Sequence, residues 1–215
     1  MIIGGVDEAG RGPVIGPLVI AGYFIDSNQY HLITNVVKKD SKGYSSSRRL
    51  KLFNYLVGLK GVKILVTILQ PSIIDGWLED IGNLNDLEAY FICKIIANAK
   101  PNIVYVDSCD SKPEKFLQRI SRFKRMFSNM KLDVDIRAEL FADIKYPAVS
   151  AASIIAKVIR DSYISRLSEQ YGEIGSGYPS DAKTKNFLII WKQKSKIPPP
   201  FVRKQWKTVK AIFQD

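Results

Sequence analysis

The chain opens with Met1-Ile-Ile-Gly-Gly-Val-Asp-Glu-Ala-Gly-Arg-Gly-Pro-Val-Ile-Gly-Pro-Leu-Val-Ile20, the stretch that decides its fold. The first apolar run ends in two adjacent carboxylates, Asp7 and Glu8. A turn, Gly10-Arg11-Gly12, follows, and a second apolar run covers Leu18 to Ile25. This order predicts a strand, an acidic tip, a glycine turn and a second strand. Because side chains alternate between faces along a strand, both carboxylates reach one site only if the first strand ends or bulges between them.

The rest of the chain alternates between strand and helix patterns. Further strands are predicted at Val62–Leu69, a buried strand, at Ile103–Asp107, and at Leu132–Leu140, where apolar and charged residues alternate. Predicted helices follow the caps Ser45–Ser47 and Ser111–Glu114, cover Pro71–Leu78 and Asn83–Ala99, and begin again after Pro147. In the first of them, Leu50, Phe53, Leu56 and Val57 recur at helical spacing. This alternation predicts an α/β fold with a mixed sheet.

The last 45 residues differ in character from those before them. They contain nine Lys and Arg but three Asp and Glu, so they carry +6 of the net charge of +11. Aromatic residues interleave with these cations, among them Tyr178, Trp191, Phe201 and Trp206. We therefore expect a domain at 1–174 and a basic helical segment at 175–215 packed on it. The charge predicts a polyanionic partner, although binding to a ribosome or a membrane surface would give the same figure.

Composition also bears on the compartment. Prolines and glycines interrupt the apolar run near the N-terminus, so we expect neither a signal peptide nor a membrane span. Cys93 and Cys109 lack metal-binding spacing, and we expect thiols in a reducing compartment, with pairing left open. The cytoplasm is the expected location.

Carboxylates dominate the candidate chemistry. The single histidine, His31, lies far from any acidic tip, which argues against a catalytic triad and against a histidine-ligated zinc site. Four acids follow or precede predicted elements of one sheet: Asp7, Glu8, Asp107 and Asp143. If they converge, divalent cations would be needed to neutralise them, which is the arrangement of two-metal phosphodiester hydrolysis. A solvated strand end and simple helix caps remain alternatives, because spacing does not establish convergence.

A basic helix face is expected to be solvated: Lys112, Lys115, Arg119, Arg122 and Arg125.

Several motifs together resemble a known family. The run Val6-Asp-Glu-Ala-Gly-Arg-Gly-Pro-Val-Ile-Gly-Pro17 closely resembles the opening motif of ribonuclease HII. Further similar blocks follow in order: Asp40-Ser-Lys42, Tyr105-Val-Asp107, Ala142-Asp143, Pro147-Ala-Val-Ser-Ala-Ala-Ser-Ile-Ile-Ala-Lys157, Arg160-Asp161, Gly175-Ser-Gly-Tyr-Pro-Ser-Asp181 and Val202-Arg-Lys-Gln-Trp-Lys-Thr208. They span nearly the whole chain, and the Gly175–Asp181 form looks most like archaeal members.

The resemblance implies a ribonuclease H-like fold, in which helices flank a five-stranded mixed sheet and a helical C-terminal segment follows. It also implies endonucleolytic cleavage of the RNA strand of RNA–DNA hybrids, with two Mg²⁺ or Mn²⁺ ions. Cleavage on the 5′ side of ribonucleotides embedded in duplex DNA, leaving 3′-hydroxyl and 5′-phosphate ends, is implied as well. The alternatives are a non-catalytic nucleic-acid-binding protein and another nuclease on the same fold, such as a junction resolvase or integrase.

Residue roles follow from the motif match. The resemblance implies that Asp7, Glu8, Asp107 and Asp143 are the catalytic, metal-binding carboxylates. It implies that Gly10, Arg11 and Gly12 present backbone groups to the 2′-hydroxyl, that Lys42 holds a phosphate and that Tyr178 lies against a sugar.

The sequence departs from the family pattern after Lys42, where Gly43-Tyr44 stands in place of a second lysine and a Leu-Thr or Leu-Ser pair. The departure begins directly after Lys42, the residue to which the resemblance assigns the phosphate contact. We expect a monomer. Some archaeal members of the family end in a peptide that binds a sliding clamp; we expect none here, because Thr208 and Ala211 follow Gln205 where a hydrophobic and an aromatic residue would be needed.

Overall fold

Five strands form one mixed sheet. The computed structural model describes residues 1–37, 44–127 and 134–213. Its strands are β1 (Ile2–Ala9), β2 (Leu18–Asp26), β3 (Lys63–Leu69), β4 (Ile103–Asp107) and β5 (Asp135–Glu139), in the spatial order β3-β2-β1-β4-β5. The α/β expectation is therefore confirmed, and β1 lies at the centre of the sheet.

Helices follow or connect the strands. They are α1 (His31–Thr34), α2 (Ser46–Gly58), α3 (Pro71–Asp80), α4 (Leu84–Ala99), α5 (Pro113–Lys124), α6 (Ala142–Lys145), α7 (Pro147–Tyr171), α8 (Ala182–Lys194) and α9 (Lys207–Phe213). Among the described residues, none of these helices combines the length and the apolar character needed to cross a membrane.

Glycines set how closely two helices approach the sheet. A Cβ on Gly5 would lie 2.2 Å from the backbone of Ala148, so α7 lies directly on β1. A Cβ on Gly22 of β2 would lie 2.7 Å from Ile95 of α4 and from the ring of Phe24, which also covers Gly4. Because Gly4 and Gly5 face opposite sides of β1, α4 and α7 flank opposite faces.

Two strand predictions are corrected by the structure. Strand β1 does not end at the acidic pair but continues through Asp7 and Glu8 to Ala9. Strand β3 is not buried: only Leu69 is fully covered, because β3 is the edge strand and has a neighbour on one side only.

Helix details also differ from the sequence pattern. The predicted stripe of α2 is partly wrong, since Leu50 and Val57 are exposed while Leu52 and Leu56 are buried. Helix α5 begins at Pro113, but its N-cap residue is Lys112, which makes no side-chain capping bond, so the predicted capping box is absent there. The cap at Ser45 is confirmed, because its hydroxyl accepts a hydrogen bond from the amide of Arg48 at 3.3 Å.

The chain divides into two compact units. The first comprises residues 1–9, 20–67 and 85–158, and the second comprises 10–19, 68–84 and 159–215. The proposed division at 174 and 175 remains a prediction.

The second unit has its own apolar core. Its buried residues are Val14, Ile15, Ile164, Ile174, Leu188, Phe201, Val202 and Val209. Backbone bonds join its separate segments: the amide of Val14 donates to Gly177, and that of Gly16 donates to Phe201. Aromatic residues of the basic segment, including Trp191 and Trp206, pack against this core.

Candidate active site

The parallel register of the first unit places two acids side by side. Val6 of β1 pairs with Val106 of β4, so Asp7 and Asp107, the next residue on each strand, are neighbours at the carboxyl ends of these strands. Ligand sites of α/β sheets collect at this edge. The convergence that the sequence left open is thus present for these two acids.

Asp7 is an unusual carboxylate. Its side chain is buried, and burial together with the charge of Asp107 raises its pKa from 3.8 to about 7. Two groups of α7 act in the opposite direction, because Ser153 hydrogen-bonds to Asp7 and the positive charge of Lys157 favours the ionised form. Lys157 Nζ in turn donates to Ser153 Oγ at 2.6 Å. Neither Ser153 nor Lys157 is predicted as a site residue from the sequence, although their spacing of four residues on a helix is the signal that could have paired them.

A short loop ties Asp143 to Asp107. The amide of Ala142 donates to Asp107 Oδ1 at 2.6 Å, which fixes the start of α6 and the residue that follows, Asp143. Phe141, just before, has φ +56°, a conformation that is strained for a residue with a Cβ. Asp143 is buried, and its Oδ1 has no hydrogen-bond partner among the described residues. Such an orphaned carboxylate oxygen is costly unless something binds it.

These acids fit a hard divalent cation by their chemistry. A buried carboxylate of raised pKa next to a second acid, and a third acid with an unsatisfied oxygen, are all relieved by a cation. Yet within the described ranges no three His, Cys, Asp or Glu side chains are grouped closely enough to hold a metal ion. Glu8 follows Asp7 on a continuous strand, so strand alternation directs its side chain to the other face. The structure therefore brings Asp7 and Asp107 together and attaches Asp143 to them through the bond from Ala142 to Asp107.

The second unit contains the glycine turn. Gly10 has φ +88°, and a Cβ there would lie 2.6 Å from the carbonyl oxygen of Pro17, so only glycine fits. Gly12 has no such restriction, because its Cβ would meet only the ring of Tyr178 at 3.5 Å. Tyr178 is 39% exposed and lies 5.1 Å from the guanidinium of Arg160. The glycine turn and Tyr178 are thus adjacent in space, although Gly12 and Tyr178 are 166 positions apart in the sequence.

Two predictions concern basic residues outside the acidic site: Lys42 and the basic face of α5. Lys42 lies outside the described residues, so its phosphate role stays a prediction. The basic face of α5 is partly paired: Arg119 binds Asp86 at 2.6 Å and Asp110 at 2.8 Å, and Arg122 binds Asp86 at 2.7 Å. The prediction of a solvated basic face is therefore only partly met, because Arg119 and Arg122 form ion pairs with acids of the same unit.

Comparison with solved structures defines the class of protein. A ribonuclease HIII from Bst, solved in complex with Mn²⁺, superposes with a TM-score of 0.78 at 20% identity, covering 100% of this chain and 70% of that one, and so shows the fold alone. Ribonuclease H2 from Pyrococcus horikoshii superposes with a TM-score of 0.88 at 40% identity and covers 100% of this chain and 98% of its own. The fold is that of the ribonuclease H-like nucleases.

The particular family follows from the sequence. The family model described as Ribonuclease HII matches residues 4–209, and the chain belongs to that family. A relative named ribonuclease HII from Pyrococcus abyssi is 42% identical over 99% of this chain and 91% of its own length. A ribonuclease HII from Archaeoglobus fulgidus, solved in a complex with PCNA, is 37% identical with a TM-score of 0.84 and 96% coverage of both chains.

As a member of this family, the protein is a type II ribonuclease H, a hydrolase with endoribonuclease activity on RNA–DNA hybrids. The resemblance noted from the motifs is confirmed.

Proposed function

We propose that Asp7, Asp107 and Asp143, with Glu8, hold two divalent cations, Mg²⁺ or Mn²⁺, against the phosphate that is cut. Such ions, when bound, activate water and stabilise negative charge on phosphate oxygens. The observation that carries this proposal is the neighbouring pair of buried Asp7 and half-buried Asp107, because the burial of Asp7 and the repulsion between the two charges leave the pair in need of a cation. Ser153 and Lys157 would keep Asp7 ionised, and the amide of Ala142 would fix the orientation of Asp107.

Glu8 has the weakest geometric support of the four acids. Its assignment rests on the motif match, since regular alternation along β1 would place its side chain on the face opposite that of Asp7. Its amide donates to Asp7 Oδ1 at 2.8 Å, so Glu8 also supports the neighbouring acid through its backbone. We keep it in the proposed set with that distinction.

The proposed reaction is hydrolysis on the 5′ side of a ribonucleotide, including a single ribonucleotide within duplex DNA. The oxygen of water bonds to phosphorus while the bond from phosphorus to O3′ of the preceding nucleotide breaks. The departing O3′ takes up a proton, so the products are a 3′-hydroxyl and a 5′-phosphate.

Recognition of the ribonucleotide is proposed for the second unit. Backbone groups of Gly10, Arg11 and Gly12 would contact the 2′-hydroxyl, the group that distinguishes RNA from DNA. Tyr178 would lie against the adjacent sugar; its exposure and its contact with Gly12 support this role. Tyr178→Ala should then reduce cleavage at a single ribonucleotide more than cleavage of a long hybrid. Equal losses on the two substrates would contradict a junction-reading role.

The test of the proposed function uses a labelled DNA duplex with one ribonucleotide, incubated with the protein and Mg²⁺ or Mn²⁺. We expect one nick on the 5′ side of the ribonucleotide and none in the all-DNA duplex. Asp107→Asn should abolish turnover but keep binding. An intact duplex at high wild-type concentration would refute the proposal, and binding without product under either metal would favour a non-catalytic nucleic-acid-binding protein. Cleavage that does not depend on the 2′-hydroxyl would favour another nuclease of this fold.

We also propose that the protein acts as a cytoplasmic monomer and makes no sliding-clamp contact through its C-terminal segment. The region that would carry such a peptide is packed: Gln205 hydrogen-bonds to Glu79, and Val209 is buried. Size-exclusion chromatography with light scattering, alone and with a sliding clamp, tests both points. A shift of the mass above 24.3 kDa in either experiment would contradict them.

A further inference from the structure

Arg203 is the largest fully buried side chain of the described residues, and it is attached to the glycine turn. Its guanidinium donates three hydrogen bonds to backbone carbonyls: Nε to Gly16 at 3.0 Å, Nη1 to Arg11 at 2.9 Å and Nη2 to Gly10 at 2.5 Å. It lies 4.8 Å from the ring centre of Trp206. All of these residues belong to the second unit.

The same segment holds the next carbonyl of the turn. Trp206 Nε1 donates to the carbonyl oxygen of Gly12 at 3.2 Å. Arg203 and Trp206 together therefore bind the carbonyls of Gly10, Arg11 and Gly12. A buried arginine suits this task because its planar fork presents several donors in fixed directions.

Holding the carbonyls also orients the amides. In a planar trans peptide the C=O and the following N–H point in opposite directions. The carbonyls of Gly10 and Arg11 point at the guanidinium, so the amides of Arg11 and Gly12 point away from it. Those two N–H groups are the donors that the turn can offer to a ribose oxygen.

We propose that Arg203 is a positioning residue for ribonucleotide discrimination, because it fixes the direction of the Arg11 and Gly12 amides. This inference rests on the proposed function of the turn. It assigns to Arg203 no contact with the substrate. Its effect is carried by the backbone of the turn, so it should change selectivity for the 2′-hydroxyl more than general affinity for a duplex.

The same segment offers a matched control. Asp75 is buried, and its carboxylate accepts hydrogen bonds from the amides of Lys204 at 2.8 Å and Gln205 at 3.1 Å. Asp75→Asn therefore loosens residues 204 and 205 without removing a bond to the turn. Any loss of selectivity that comes merely from a less stable segment should appear in this variant as well.

The experiment measures Kd by fluorescence anisotropy, in the Asp107→Asn background, for two duplexes that differ by a single 2′-hydroxyl. We define selectivity as the Kd for the all-DNA duplex divided by the Kd for the duplex with the 2′-hydroxyl. Arg203→Lys keeps the charge but lacks the planar fork of donors, so we expect this selectivity to fall by about tenfold. Trp206→Phe removes only the bond to Gly12, and we expect a smaller fall in the same direction. Asp75→Asn should leave the selectivity unchanged, although all three variants lower the melting temperature.

The outcomes separate the two levels of the hypothesis. If the Asp107→Asn parent prefers the ribonucleotide and both Arg203→Lys and Trp206→Phe keep that preference, the positioning role is wrong while the proposed function stands. If Asp75→Asn loses the preference as much as Arg203→Lys, the role is only structural and the inference is overturned. If the parent shows no preference, the turn does not read the 2′-hydroxyl, and the proposed function and the inference fail together. If Arg203→Lys does not fold, Trp206→Phe against Asp75→Asn decides the outcome.

Discussion

At the scale of single residues, the cost of ionising Asp7 gives a measurable signature. Its folded-state pKa is about 7, whereas an ordinary aspartate titrates near 3.8. The folded protein therefore binds more protons than the unfolded chain between these values, and the metal-free protein should lose stability as pH rises through this window. Above about pH 7 the penalty is fully present, and a bound cation would offset it.

We predict that Asp7→Asn stabilises the metal-free protein at high pH. The gain at pH 8 should exceed the gain at pH 5 by on the order of 2 kcal/mol, since the amide carries no charge to bury. Thermal unfolding in a chelator at both pH values measures it. Adding Mn²⁺ should then raise the melting temperature of the wild type but not that of Asp7→Asn.

A carboxylate with the opposite shift serves as the control for this prediction. The amides of Ser176 and Lys183 donate to Asp181 and lower its pKa, so its charge favours the folded state. Asp181→Asn should therefore reduce stability at pH 8. An equal pH trend in Asp7→Asn and Asp181→Asn would contradict the assignment of the effect to burial at Asp7.

A second residue-scale prediction concerns Gly12. Gly12→Ala should fold normally, because the new methyl group would meet only the Tyr178 ring, at ordinary contact distance. We expect at least about a tenfold loss of kcat/KM on a single-ribonucleotide duplex, the equivalent of roughly 1.4 kcal/mol, because the methyl group would obstruct a sugar approaching the backbone. Gly10→Ala, by contrast, should also lower the melting temperature, since φ +88° is strained for alanine. Unchanged kcat/KM in Gly12→Ala would remove Gly12 from the recognition turn.

The candidate acids can be predicted from the sequence, but the residues that hold the acids and the glycine turn in place cannot. Asp7 and Asp107 follow apolar runs, and this local signal is visible without coordinates. Ser153, Lys157 and Arg203 act over long distances along the chain: Arg203 reaches Gly10 across 193 positions. No local pattern encodes such a contact, and without the motif match these residues read as ordinary helix or tail residues.

At the scale of secondary-structure elements, α7 approaches the sheet most closely at Gly5 of β1. A Cβ there would meet a neighbouring atom at a shorter distance than a Cβ at Gly4 or Gly22 would. The backbone of Ala148 occupies the space that a side chain at position 5 would need. Because α7 also carries Ser153 and Lys157, a displaced helix would disturb Asp7 as well as the core.

We predict that Gly5→Ala destabilises the protein by about 3 kcal/mol, or roughly 6–12 °C in melting temperature, because the new methyl group meets backbone that cannot rotate away. Gly76→Ala is the matched control: it lies within α3 and meets nothing within 4 Å, so it should be neutral or stabilise by up to about 1 kcal/mol. Differential scanning fluorimetry compares the two. A Gly5→Ala protein as stable as the wild type would show that α7 can move off the strand.

Element boundaries followed from sequence where local chemistry sets them. The Ser45 cap, the proline at the start of α5 and strand β4 all lie where the pattern places them. The two errors in the strands have one cause. Whether β3 is buried or at an edge, and whether β1 stops at its acids, depends on the neighbours each strand acquires in the sheet, and periodicity along the chain carries no information about neighbours.

At the scale of the whole molecule, a net charge of +11 predicts that binding to nucleic acid weakens steeply with salt. A truncation of the basic C-terminal segment would not separate its packing in the core from its proposed contact with nucleic acid. Phe201, Val202 and Val209 are buried in the core of the second unit, so removing residues after about 196 should reduce stability whatever the segment binds. Exposed lysines of the segment allow the charge to be changed alone.

We predict that replacing Lys185, Lys194 and Lys196 together by glutamine lowers the salt dependence of hybrid binding. The slope of log K against log salt should fall by about one unit for each phosphate that a lysine no longer neutralises. These three lysines are exposed, so the melting temperature should not change.

The control replaces Lys51, Lys60 and Lys112, which are also exposed but belong to the first unit. It leaves the same net charge of +8, since 11 minus 3 is 8. If both triple variants change the slope equally, the effect comes from total charge, and the basic segment has no specific part in holding the hybrid. A change confined to the C-terminal triple places the nucleic-acid contact on that segment, because only the position of the removed charges differs between the two variants.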